Sequence, residues 1–336
     1  MKPRPPSLSL SAAPVCAMIS SWSWLHSACP RERLSMRDLS DTFQQAVMTP
    51  FLDPKVHTDP GRVVNVSTVP QRSPFRYPGG KTWLVPRVRL WLRSLPERPA
   101  ELIEPFAGGA IVSLTAVFEN LVDRATLVEL DDQVAAVWQT ILSEDGVRLA
   151  EDVARFTVSP EAIHELLTRS HDSAYDLAFA TLVKNRVQRG GILAPGASLM
   201  KAGENGRGLA SRWYPQTLRK RILAIAAMRH RIRFVHTDGV AYLQSQASRP
   251  DAVYFIDPPY TVAGRRLYTH FDIDHDRLFA VAATLAGDFL MTYDNTSEVR
   301  WLAEKHGFQT AEIAMMNTHN ATKTELLIGK DLRWLA

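Results

Sequence analysis

Cysteine is nearly absent. The 336-residue chain has two, Cys16 and Cys29, and none follows. A disulfide framework is thereby excluded for the main body, which suits a reducing compartment and makes a cytoplasmic location the expectation. Long apolar runs are also missing: no stretch reaches the roughly 18 residues needed to cross a bilayer, so no membrane association is expected. The ten histidines are scattered, and the His164–His171 spacing fits no zinc pattern, so no metal is expected. No Walker-type lysine loop occurs. The glycines after the first candidate strand lack the third member of the dinucleotide fingerprint, which argues against an oxidoreductase using such a cofactor.

What is present is ordinary globular composition, 46% hydrophobic and 22% charged, enough for a large core and one or two domains. The formal charge is only +4, but it is unevenly spread. Residues 150–235 carry 14 Lys/Arg against 7 Asp/Glu, and residues 205–237 hold eight basic residues and no acidic one. A basic insert on a near-neutral body is the electrostatic footprint of a polyanion site. The competing reading is a solvated helical face, since "RKRILAIAAMRHRIRF" is also amphipathic.

The first 72 residues read as an N-terminal extension and linker with little fixed structure. A signal peptide is disfavoured because serines and Pro14 break its apolar stretch; Met36 and Met48 are alternative starts. Beyond it, strand and helix patterns alternate, which argues for an α/β sheet. Strands are expected at 101–106, 125–130, 231–236, 252–257, 288–293, 310–316 and 325–330, and helices at 111–121, 132–143, 239–247, 274–286 and 296–306. The last connection is too short for a helix, so the final two strands should pair antiparallel at one edge. Residues 150–235 interrupt the alternation as a mainly helical insert with a Gly-rich section. The catalytic body is expected at 73–149 and 236–336.

Five short motifs carry chemistry. In "DAVYFIDPPYTVAG", residues 251–264, a buried strand stops on an aspartate, two prolines and a tyrosine. Prolines cannot donate to a ladder, so Asp257, Pro258, Pro259 and Tyr260 should form a stiff turn at the strand end. "LIEPFAGGAIVSL", 102–114, places Phe106 and Gly108 in a strand-to-helix loop where backbone can approach a ligand. "LVELDDQ", 127–133, ends the second strand on Glu129, positioned to accept ribose hydroxyls, with Asp131 second; capping the next helix is the alternative for the acids. "HTDG", 236–239, offers Asp238 either to an adenine amino group or to a helix cap. "FRYPGGKTWLVPRV", 75–88, flanks a Gly-Gly turn with Tyr77 and Lys81.

In this order the motifs "RYPGGK" (76–81), "EPFAGGA" (104–110), "VELDD" (128–132), "HTDG" and "DPPY" (257–260) resemble those of Dam-like, class I, S-adenosylmethionine-dependent DNA adenine-N6 methyltransferases. "NRVQRGG" (185–191), "RWYP" (212–215), "TYDNT" (292–296) and "NATKTELLI" (320–328) add support, and the likeness covers roughly 73–336. The resemblance implies a class I methyltransferase fold: a Rossmann-like, mostly parallel sheet with one antiparallel edge hairpin, plus an inserted helical DNA-recognition domain. It implies S-adenosylmethionine held by Tyr77, Lys81, Phe106, Gly108, Glu129, Asp238 and Asp257. It implies double-stranded DNA as substrate, contacted by Asn185, Arg186, Arg189, Arg212, Tyr214, Arg219, Lys220 and Arg221. A cognate restriction endonuclease is among the partners it allows, and a monomer is expected. Ala110 stands where many relatives have glycine, which would tighten the pocket. Cytosine-N4 or RNA methylation, or an inactive DNA-binding relative, are the alternatives.

The chemistry suits the turn. An exocyclic amine on adenine is a poor nucleophile, because its lone pair is delocalised into the ring. Asp257 and the Pro258 carbonyl would accept its two N–H bonds and favour the pyramidal nitrogen, and the prolines would hold both acceptors still. Tyr260 would offer a π-face to a base taken out of the helix.

Overall fold

A computed structural model describes residues 61–335 except 62, 202–205, 261–268, 271 and 317–321. Both cysteines, the alternative starts and most of the expected extension lie outside the described residues. Residues 63–72, expected within the linker, pack onto the body: Val64 and Val69 join the main core, and Arg72 pairs with buried Glu119.

Seven apolar segments form one sheet. The strands are β1 (Glu101–Glu104), β2 (Arg124–Glu129), β3 (Ile232–His236), β4 (Ala252–Ile256), β5 (Phe289–Asp294), β6 (Gln309–Met316) and β7 (Thr322–Gly329), in the spatial order β3-β2-β1-β4-β5-β7-β6. The first five are parallel; β7 runs antiparallel between β5 and β6. This is the expected mostly parallel sheet, with the expected antiparallel edge hairpin. β1 and β4 are buried throughout, as parallel strands covered on both faces must be. The strand order reverses between β1 and β4, and ligands of open α/β sheets bind at the carboxyl ends flanking such a switch.

Helices α1 (Val85–Ser94), α2 (Ile111–Phe118), α3 (Asp132–Leu142), α8 (Gly239–Gln246), α9 (His275–Thr284) and α10 (Ser297–Lys305) accompany the sheet. The sequence reading missed α1. Pro86 sits in its first turn, where a missing N–H costs nothing. Asp131 and Asp238 cap α3 and α8 by accepting from Val134 N and Ala241 N.

The insert contains α4 (Gly146–Arg155), α5 (Pro160–Thr168), α6 (Ala174–Val187) and α7 (Pro215–Ala227). Ser159 and Ser173 start α5 and α6 as side-chain caps. Helix α6 packs on α3 and α7 on α4, so Leu182, Val183, Ile222 and Ile225 share one core with Leu114 and Trp138 of the catalytic body.

Candidate active site

The carboxyl ends of β1, β2 and β4 open into a cavity of about 750 Å³. Tyr77, Lys81, Phe106, Glu129, Asp238, Asp257 and Pro259 line it, together with Arg186, Arg212, Tyr214 and Arg221 from the insert. One space therefore joins six of the seven expected cofactor residues, all but Gly108, with the turn after β4 and part of the basic insert.

The loop after β1 is built on close approach. Gly108 has φ +45°, and a Cβ there would lie 2.5 Å from the Tyr77 ring, so only glycine fits. Its N–H donates to Glu129 Oε2 at 2.9 Å, and its carbonyl accepts from Trp138 Nε1 at 2.9 Å. Ala110 also lies in the left-handed region, at φ +50°, a conformation that costs a non-glycine residue about 1–2 kcal/mol. Its methyl group is buried in the cavity wall.

Glu129 holds this loop to the end of β2. Its Oε1 accepts from the N–H groups of Leu130 and Asp131, at 2.9 and 3.1 Å. Burial nonetheless raises its pKa, opposed by those three backbone donors. Glu104, at the end of β1, is buried and accepts from Ser113 N at 3.0 Å, which caps α2 from across the loop. Burial pushes its pKa up to about 8, and nearby Asp257 pushes the same way.

Asp257 is held at both carboxylate oxygens. Lys81 Nζ lies 2.9 Å from Oδ2, and Thr292 Oγ1 donates to Oδ1 at 2.7 Å. Lys81 is buried, donates also to the Gly79 carbonyl at 2.8 Å, and lies 3.6 Å from Glu325 Oε2. Each carboxylate oxygen has a second lone pair, so Asp257 can still accept from a ligand.

Tyr260 departs from its expected role. Its ring stacks on Tyr293 at 5.8 Å, its hydroxyl donates to Glu325 Oε2 at 2.8 Å, and it is not among the residues lining the cavity. The ring finds its apolar partner and the hydroxyl its acceptor inside the sheet edge, where β7 brings Glu325 beside β5. Burial raises the pKa of Glu325, opposed by the Lys81 ammonium.

The expected DNA contacts separate into internally tied, cavity-facing and exposed residues. Asn185 is fully buried: its amide accepts from Arg76 N at 2.8 Å and donates to the Arg76 and Gly191 carbonyls at 3.1 and 2.7 Å. It fastens the insert to the loop carrying Tyr77. Gly191, at φ +75°, permits this contact, because a Cβ would lie 2.1 Å from the Arg76 carbonyl oxygen. Arg219 is tied to Glu151 at 2.8 Å. Arg186, Arg212, Tyr214 and Arg221 face the cavity, whereas Arg189 and Lys220 are exposed away from its lining. Much of the basic run is thus spent internally, on Glu144 by Arg229 and on the Asp123 and Val122 carbonyls by Arg231.

Trp138, Thr292 and Glu325 were not singled out from sequence as site residues. Thr292 and Glu325 fall in the weaker motifs "TYDNT" and "NATKTELLI", and that is the signal that points to them.

No family model matches the chain, and no curated protein matches it. Among solved structures, a precorrin-6y C5,15-methyltransferase from Geobacter metallireducens GS-15 is 10% identical, covering 72% of this chain and 84% of that one, with a TM-score of 0.31. A proposed RNA methyltransferase from Pyrococcus horikoshii, PH1948, is 10% identical over 88% of this chain and 98% of its own, with a TM-score of 0.35. The rRNA methyltransferase aviRa of Streptomyces viridochromogenes is 13% identical over 85% and 91%, with a TM-score of 0.33.

Proposed function

We propose that the chain is an S-adenosylmethionine-dependent methyltransferase that modifies the N6 amino group of adenine in DNA. The observation that carries this reading is Asp257, placed at the cavity wall at the end of β4 and held at both oxygens by Lys81 and Thr292. Asp257 and the Pro258 carbonyl accept the two N–H bonds of the target amine and favour its pyramidal form. Their fixed geometry leaves little to reorganise as positive charge develops on nitrogen.

The cavity suits the proposed donor. Its volume lies within the range of small-molecule sites, and its loop of short backbone approaches is pinned by Glu129 and Trp138. Tyr77, Lys81, Phe106, Gly108, Glu129, Asp238 and Asp257 would hold the donor, with Glu129 taking the ribose. S-adenosylmethionine, when bound, supplies an electrophilic methyl group. The cavity's aromatic lining, Tyr77, Phe106 and Tyr214 among it, offers faces for an extruded base, a part expected of Tyr260.

The test is to supply isotopically labelled donor and mixed-sequence DNA, digest the product to nucleosides and identify the labelled one. N6-methyladenosine is the expected nucleoside, as its deoxy form. Label in deoxycytidine would contradict the adenine assignment.

A further inference from the structure

Three guanidinium-bearing residues, Arg76, Arg186 and Arg221, meet at the cavity wall. One loop gathers them. Arg186 Nη2 donates to the Pro74 carbonyl and Arg221 Nη1 to the Ser73 carbonyl, so side chains from two different helices sit on consecutive peptide units. Arg76 lies two residues further along, with its backbone clamped by Asn185.

The cluster lacks counter-charge. Two other buried arginines, Arg72 and Arg89, by contrast share Glu119. Among the described residues no carboxylate offsets Arg76, Arg186 or Arg221. Arg186 is 6% exposed, yet its Nε has no hydrogen-bond partner, and neither has Arg76 Nη1. Burial, followed by Arg221, Arg76 and Arg212, pulls the Arg186 pKa down to about 9. Buried like charges with idle donors are costly unless an anion completes them.

Guanidinium groups match phosphate oxygens with paired donors. Three cations exceed what one carboxylate of a cofactor requires, whereas successive phosphates of a strand supply one charge each. Tyr214, 43% exposed and on the same cavity wall, offers a face on which a neighbouring base can stack. We propose that Arg76, Arg186 and Arg221 form a phosphate subsite inside the cavity, gripping the sugar-phosphate backbone beside the nucleotide delivered to Asp257. The proposal rests on the nucleic-acid reading above. It differs from a basic outer stripe, because these contacts form only when a strand enters the cavity.

The test uses the full chain and a single-stranded, mixed-sequence oligodeoxynucleotide, whose bases are already unstacked. Arg76→Gln is the cleanest variant, since it removes a cation whose side chain makes no hydrogen bond among the described residues. Arg76→Gln/Arg221→Gln extends it, and thermal melting checks both folds. The slope of log affinity against log salt should lose about 0.7 for the single variant and about 1.4 for the double, as expected per phosphate contact on single strands. Affinity for S-adenosylhomocysteine should stay within about twofold of wild type, a free-energy change well under 1 kcal/mol. An unchanged DNA affinity and slope in folded Arg76→Gln, with wild type binding DNA, overturns the subsite and leaves the methyltransferase reading standing. Loss of S-adenosylhomocysteine binding with DNA binding intact assigns the arginines to the cofactor carboxylate and overturns it too. A wild-type protein that binds no nucleic acid brings down both.

Discussion

Lys81 Nζ lies 2.9 Å from Asp257 Oδ2, joining a lysine upstream of β1 to the aspartate that follows β4. The pair does more than hold two segments together. Glu104, Asp257 and Glu325 gather near one ammonium group, and Lys81 is the cation among them. Lys81→Met should therefore lower stability by about 3 kcal/mol, the low end for stranding a buried charge. It should also cut methyl transfer by about 100-fold through displacement of Asp257. Urea denaturation and initial rates with labelled donor measure both; a stable variant with wild-type transfer contradicts the arrangement.

Glu129 engages three backbone N–H groups with two oxygens. In Glu129→Gln one oxygen becomes an NH₂ that faces a donor instead of accepting from it. Cofactor affinity should fall about tenfold or more, equivalent to at least about 1.4 kcal/mol. Titration calorimetry with S-adenosylhomocysteine reads this directly. Unchanged affinity would remove Glu129 from the pocket's organisation.

Glu104 gives the protein a pH signature. Its folded pKa of about 8 lies above the ordinary 4.5, so the folded state keeps a proton that the unfolded chain loses. Stability is then unaffected below the lower value, declines as pH rises through the interval, and levels off above the upper one. Glu104→Gln mimics the protonated form and should match wild type near pH 4.5. Its advantage should grow by up to about 1.4 kcal/mol per pH unit towards pH 8. Parallel urea-stability curves across that range would contradict burial of an ionisable Glu104.

Asn185 was expected at a DNA surface, and the structure makes it an internal clamp. Asn185→Ala leaves Arg76 N and two carbonyls without their partner, at about 1–3 kcal/mol for each buried group left unmet. Stability should drop by about 3 kcal/mol or more, and the loop bearing Tyr77 and Lys81 should loosen. Denaturation midpoints together with hydrogen exchange at residues 73–81 check this. A variant with wild-type stability that loses only DNA affinity would restore the surface role.

The sheet was legible because its strands are short apolar runs cut off by prolines, glycines and acids, and the breaks after β1, β2, β3 and β4 fall where cavity-lining loops begin. "DPPY" announced a stiff strand end from proline's missing donor alone. The antiparallel pairing of β6 and β7 followed from a connection too short for a crossover. What stayed hidden depends on partners far along the chain. Neither the Trp138 bond to Gly108 nor the Glu325 bond to Tyr260 has a local signature. The basic run was only partly legible for a related reason. Charge pattern records that arginines are present, not whether a carbonyl at Ser73, Pro74 or Val122 is waiting for them.

The central claim is that Asp257 makes a reluctant amine nucleophilic. The most direct measurement compares wild type with Asp257→Ala in labelled methyl transfer to DNA under single-turnover conditions, with folding confirmed by thermal melting. Transfer by the folded variant should fall by about 1,000-fold or more, at least about 4 kcal/mol of transition-state stabilisation. Wild-type transfer rates in folded Asp257→Ala would contradict the account.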